Sequence, residues 1–149
     1  MRQRIALVVL PASILAVADL SVKLVYPTDE RHFHPRSGTW VALSLLLLVG
    51  AVALARVPSR SVALAAGVLF GGVAGNLVSA RWSEHGVPNP LVLTGENAEL
   101  AFNVADVATL LGILLLMTTT IAAAIRHRDA LPQETVFTRA ARRLRPSSD

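Results

Sequence analysis

The chain has 149 residues, a mean hydropathy of +0.54, and only 16% charged residues, against roughly 25% in soluble proteins. That balance excludes an ordinary soluble domain, and the lack of cysteine excludes a disulfide framework or a thiolate metal site. The formal charge of +4 does not indicate nucleic acid, because the basic residues stand at the edges of apolar runs, where they set membrane topology.

Four segments, near residues 5–26, 40–55, 61–80 and 102–125, approach the ~20 residues that cross roughly 30 Å of hydrocarbon. The expected architecture is therefore an all-α integral membrane bundle of four spans joined by small loops. The first span carries Asp19 and Lys23, four apart and so on one helix face. Its start also fits a signal peptide, with Ala16-Val17-Ala18 as a cleavage site. Apolar character resumes after Asp19 and runs through Tyr26, which favours an uncleaved span. The second and shortest span, "WVALSLLLLVGAVALA", has none of the polar stripe that a helix at a soluble surface needs. The tight turn "RVPSR" leads to the third, where Gly67, Gly71 and Gly75 recur every fourth residue beside Gly72 and precede Asn76. Such small residues let helices approach closely. The fourth opens with Asn103 and Asp106. Residues 126–149 read as a basic cytoplasmic tail. Val136, Phe137, Ala140, Ala141 and Leu144 lie among its arginines at helical spacing, a pattern that suits either an anionic leaflet or a solvated tail.

Arg2, Arg4, Arg56, Arg60, Arg126 and Arg128, with the tail arginines, fall on one side of a four-span chain. The other side has Arg31, Arg36 and Arg81, offset by Asp29, Glu30, Glu84, Glu96 and Glu99. The positive-inside rule then puts both termini in the cytoplasm and the larger loops, 27–39 and 81–101, outside.

In this topology Asp19, Lys23, Asn76, Asn103 and Asp106 lie within about 10 Å of the outer boundary, at 1.5 Å of rise per residue. Ionisable groups at membrane depth are costly and usually mark a site or a pathway. Asp19 and Lys23 could be only an intrahelical ion pair, and Asn76 only an interhelical hydrogen-bonding group. Asp106 has Phe102, Asn103, Thr109 and Leu110 as its neighbours at helical spacing. It needs a partner on another element, a proton or water.

"DLSVK" (Asp19 to Lys23), "GGVAGN" (Gly71 to Asn76) and "FNVAD" (Phe102 to Asp106) occur in this order on the first, third and fourth spans. The chain resembles bacterial signal peptidase II, the lipoprotein signal peptidase, over most of residues 5–125. The resemblance implies a four-span aspartic endopeptidase of the bacterial plasma membrane with no cofactor or metal. In it, two aspartates activate a water that attacks the peptide bond before a lipid-modified cysteine. The reaction asks for one ionised and one protonated carboxyl, which like charges at short range supply by pushing their pKa values apart. Asp106 matches the second catalytic aspartate. Asn76, Asn103 and, displaced by one position, Arg81 match supporting polar residues, and Asp19 and Lys23 a structural pair. The implied partners are a prolipoprotein or other lipid-modified peptide and membrane lipids.

The pattern breaks at "LVSARWSEHGVPNPLVL". Ser79 stands at an acidic position, and the first catalytic aspartate aligns with Asn89, between Pro88 and Pro90. An asparagine cannot carry the shared proton of a dyad. Glu84, Glu96 or Glu99 could replace it only if the outer loop folds back over Asp106. The first outer loop is also short, with Arg36-Ser37-Gly38 nearest to the family's substrate-binding pattern. His32, His34 and His85 lack a metal-ligand pattern. Three functions remain: a degenerate family member that binds lipid-modified peptides or serves as a partner subunit, an active peptidase with a substitute acid, and an unrelated membrane protein using Asp106 in a proton or ion path.

Overall fold

The protein is described by a computed structural model covering residues 2–35 and 37–128. The amphipathic pattern at Val136 to Leu144, like Arg36, lies outside the described residues. Four helices dominate: α1 (Arg2–Val25), α2 (Gly38–Leu54), α3 (Arg60–Trp82) and α4 (Val104–Arg126). α1, α3 and α4 are long and apolar enough to cross a membrane, while α2 is an apolar helix of 17 residues.

The helix starts follow from capping. The hydroxyl oxygens of Ser37 and Ser59 accept from the N–H groups of Trp40 and Val62, opening α2 and α3. Asn103 does the same for α4, which begins two residues after the expected boundary. Pro11 stands inside α1; in a membrane helix, packing against a neighbour makes such a residue tolerable.

α3 is the axis of the bundle and its most buried helix, packed between α1 and α4, with α2 resting mainly on α3. Small residues make this possible. A Cβ at Gly72 would lie 2.6 Å from the Thr109 backbone nitrogen, and one at Gly112 would lie 2.5 Å from the Leu69 backbone. The two glycines thus bring α3 and α4 backbone to backbone. On the other side of α3, Gly67 faces Val8 and Pro11, and Gly71 faces Ala12. Large apolar side chains, among them Leu24, Leu46, Leu114 and Ile125, point outwards. In a soluble protein such a surface would drive aggregation, whereas hydrocarbon solvates it.

The α1–α2 and α3–α4 connections correct the expectation of helices and plain loops alone. A 3-10 turn at Glu30–His32 runs into β1 (Phe33–His34), which pairs antiparallel with β2 (Val87–Pro88). β3 (Leu91–Thr94) and β4 (Glu99–Phe102) form a hairpin in which Leu91 faces Phe102 and Thr94 faces Glu99. Gly86, at φ +121°, passes directly against the His34 carbonyl, a conformation and a clearance that favour glycine. The α1–α2 and α3–α4 connections are therefore joined to each other at one end of the bundle.

Candidate functional site

Lys23, near the end of α1, reaches across to α3. Its ammonium donates to Asp19 Oδ2 at 2.6 Å, Asn76 Oδ1 at 2.9 Å and Ser79 Oγ at 3.0 Å. Three donors meet three acceptors, and the Lys23 side chain is 4% exposed. The other Asp19 oxygen accepts from the backbone N–H of Ala105 in the first turn of α4, at 2.8 Å. The Asp19–Lys23 pair is therefore intrahelical and also binds three helices together. Ser79 serves as an acceptor for lysine.

Asn76 carries the network onward. Its oxygen faces Lys23, which fixes its amide group towards Asp106 Oδ1, at 2.8 Å. Asp106 Oδ2 accepts from the backbone N–H of Asn103 at 3.2 Å, while Asn103 Oδ1 accepts from the Asp106 N–H at 2.8 Å. This reciprocal pair is a capping box that closes the start of α4. Asn76 is thus the partner on another element that Asp106 needs, and the Asn103 cap at the start of α4 is a second partner that the sequence reading did not count. The Asn103-x-x-Asp106 spacing was the available signal, obscured because Asn103 looked like a helical residue rather than the cap. Each Asp106 oxygen thus accepts from an N–H group, and the helix N-terminus favours negative charge there.

Asn89 lies beside this cap. Asn103 donates from Nδ2 to Asn89 Oδ1 at 2.6 Å and to the Pro88 carbonyl at 3.3 Å. Asn89 in turn donates from Nδ2 to the Ala101 carbonyl at 3.3 Å, and its backbone N–H donates to the His32 carbonyl at 3.2 Å. Asn89 is 6% exposed. Asn89 therefore sits in the cluster, linked to Asp106 through Asn103, as an amide with amide and carbonyl partners.

The other acids go elsewhere. Glu99 is turned to the 3-10 segment, 3.3 Å from His32 Nε2 and 3.7 Å from an Arg31 guanidinium nitrogen. Glu84 and Glu96 are exposed. Arg81 is exposed in the last turn of α3 and has no hydrogen bond or ion pair among the described residues, so the structure does not bring it to the cluster. The His85 ring packs near Phe33, with centroids 5.6 Å apart.

Asp106 and Asn76 open onto a cleft of about 330 Å³ between α2, α3 and α4, walled by Leu43, Leu47, Val73, Leu110 and Ile113. Trp40, Ser44 and Thr109 complete it. Through the shared residues Leu47 and Ile113 it adjoins a second cleft of about 400 Å³, lined by Leu46, Gly50, Leu69 and Leu116 among others. A long apolar groove thus runs down the bundle with one carboxylate in its polar reach. Trp40 and Thr109 were missed as site residues. Trp40 lies in the first turn of α2 and Thr109 three positions after Asp106, but only the helix rotations show that both line one cleft.

No family model matches the chain, and no curated protein matches its sequence. Similar folds occur in solved structures. One, a bacterial membrane enzyme determined by the in meso method at 2.3 Å resolution, is 18% identical with a TM-score of 0.55 over 85% of this chain and 92% of the other. Another bacterial membrane enzyme, determined by the same method at 1.9 Å, is 17% identical with a TM-score of 0.53, over 75% and 90%. Identity this low carries the fold alone: the chain is a mostly helical membrane protein built like these bacterial membrane enzymes.

Proposed function

We propose that the chain is a degenerate relative of lipoprotein signal peptidase that binds lipid-modified peptides near the outer leaflet without cleaving them through an aspartic dyad. In this reading it has four spans, α2 included, in the bacterial plasma membrane, with both termini cytoplasmic. The Arg4 guanidinium lies 3.4 Å from the Arg56 carbonyl, so the start of α1 and the α2–α3 turn share the basic end, opposite the polar cluster. α1 supplies Asp19 and Lys23 to that cluster, which supports its retention as a span.

One observation carries the proposal. Among the described residues no carboxyl group is hydrogen-bonded to Asp106, and the aligned position holds Asn89, bonded to Asn103. Asp19 cannot act as the second acid, because it is fully buried and both oxygens are engaged by Lys23 and Ala105. A lone carboxylate cannot both take a proton from water and hold one for the carbonyl.

The test is a cleavage assay with purified protein and a diacylglyceryl-modified prolipoprotein. Binding without cleavage is expected. Cleavage that disappears in Asp106→Asn would instead establish an active peptidase with a substitute acid. Cleavage that survives this change would remove Asp106 from the chemistry. Asn89→Asp is the informative gain. One oxygen would keep the bond from Asn103, and the other would meet the Ala101 carbonyl, where only a protonated oxygen forms a hydrogen bond. That contact favours the neutral acid, and cleavage by the variant, with the proton turned from the Ala101 carbonyl to the substrate carbonyl, would support the alignment.

A further inference from the structure

The polar cluster contains two carboxylates, Asp19 and Asp106, and one ammonium, Lys23. Lys23 has spent its three donors, one of them on Asp19. Asp106 meets only neutral donors, from Asn76 and Asn103. One negative charge therefore borders the cleft without a matching cation, and no lining residue of the cleft is basic. Thr109 also lines the cleft, but its hydroxyl is buried against Gly72 in the α3–α4 contact, so Asp106 and Asn76 are the polar groups that face a ligand there with Ser44. Trp40, also in the lining, brings an aromatic ring of the kind that attracts ammonium groups. Below these groups the walls are apolar. An unmatched charge at membrane depth is costly, and a ligand that cancels it gains accordingly.

We propose that the cleft selects an amphiphile headed by a protonated amine with no phosphate beside it. Resting on the peptide-binding reading above, this ligand is the free α-amino end of a lipid-modified cysteine. Hydrolysis of the peptide bond before that cysteine breaks the C–N bond, leaves a carboxylate on the departing segment and a protonated amine on the cysteine. The chain would thus hold the product of a peptidase reaction in preference to its substrate. The uncleaved peptide presents a neutral amide at the same place and leaves the Asp106 charge unmatched. An aminophospholipid brings an ammonium, but its phosphate would enter a cleft with a carboxylate and no basic side chain.

The experiment uses the full chain in phosphatidylcholine nanodiscs and two fluorescent peptides that begin with S-diacylglyceryl-cysteine, one with a free amino terminus and one N-acetylated. At pH 6.5 the free amine is expected to bind about ten-fold more tightly, the scale of a charge-assisted contact over a neutral one. Its advantage should shrink towards pH 9.5, as an α-amino group with an ordinary pKa of about 7.7–8.0 loses its proton. In Asp106→Asn the two peptides should bind alike, with binding of the acetylated peptide showing that the variant is folded. Equal binding of the two peptides to the unmodified chain would overturn the proposal, as would an amine preference that survives Asp106→Asn. Phosphatidylethanolamine vesicles that compete as well as the free-amine peptide would also overturn it. If neither peptide nor the uncleaved prolipoprotein binds, the peptide-binding reading itself fails, which is a different result.

Discussion

α4 has two unlike seams. Against α3 it is closed, with Gly72 and Gly112 holding the backbones together and Ala105 and Ala108 buried between them. Against α2 it is open, because Leu46, Leu47 and Met117 stand where small residues would be needed for contact and leave clefts between them. The closed seam aligns Asn76 with Asp106 and Ala105 with Asp19. The open seam gives the same Asp106 a route to ligand. One helix thus fixes a polar site on one side and exposes it on the other, and residue size decides which side does which.

The most severe way to break this contrast is to put a large side chain into the closed seam. Gly72→Leu is expected to abolish folded, monodisperse protein in detergent, since the new atoms meet the Thr109 backbone and the Ala105 carbonyl, which cannot rotate away. Gly50→Leu is the matched control, because a Cβ at Gly50 meets nothing within 4 Å and the residue lines the open cleft. It should leave the thermal transition nearly unchanged while filling part of the groove. Equal damage from both changes would mean that the seams do not differ as described.

Next in size is the ion pair that secures the closed side. Lys23→Met strands Asp19 with no other cation bonded to it among the described residues, and breaking a buried pair by removing one partner costs on the order of 3–5 kcal/mol. Denaturant titration should show that loss. The double variant Asp19→Asn, Lys23→Met should recover part of it, because the buried charge is gone and the amide oxygen can still accept from Ala105. A smaller effect is expected at the cap. Asn103→Ala removes the capping oxygen, worth about 1 kcal/mol, and also leaves Asn89 Oδ1 without its donor. Asn103→Asp keeps the cap but not the donor, so comparing the two separates helix capping from the link to Asn89.

Much of this was legible in the sequence. Apolar run length gave the four helices, and the spacing of Asp19 from Lys23 gave their ion pair. Gly67, Gly71 and Gly75 mark the α1 side of α3, against Val8, Ala12 and Asp19. Gly72, noted only as their neighbour, turned out to close the other seam. The start of α4 was misjudged by two residues because Phe102 is apolar and fits either a helix or the end of β4. The hairpin was missed because Gly95-Glu96-Asn97-Ala98 is only a moderate turn signal, and its strands are short and half-exposed. Glu99 could not be placed by sequence at all. Its partner His32 is 67 positions away, and the two are brought together by the pairing of β1 with β2 and the Asn89–His32 backbone bond, which sequence does not show.

That tie provides the mildest test. Glu99 is 36% exposed and its guanidinium partner Arg31 65%, and an exposed ion pair of this kind contributes about 1 kcal/mol or less. Glu99→Gln should therefore barely change global stability. Its effect should be local: faster amide hydrogen exchange in β4 and in the Glu30–His32 turn, with exchange in α3 and α4 unchanged. The same variant bears on the chemistry of the open side. Glu99 faces His32 rather than Asp106, so peptide binding should be unaffected. If Glu99→Gln removed a cleavage activity, the hairpin would have to reach over the cleft in the bound state, and the open seam would be closed by ligand rather than left open.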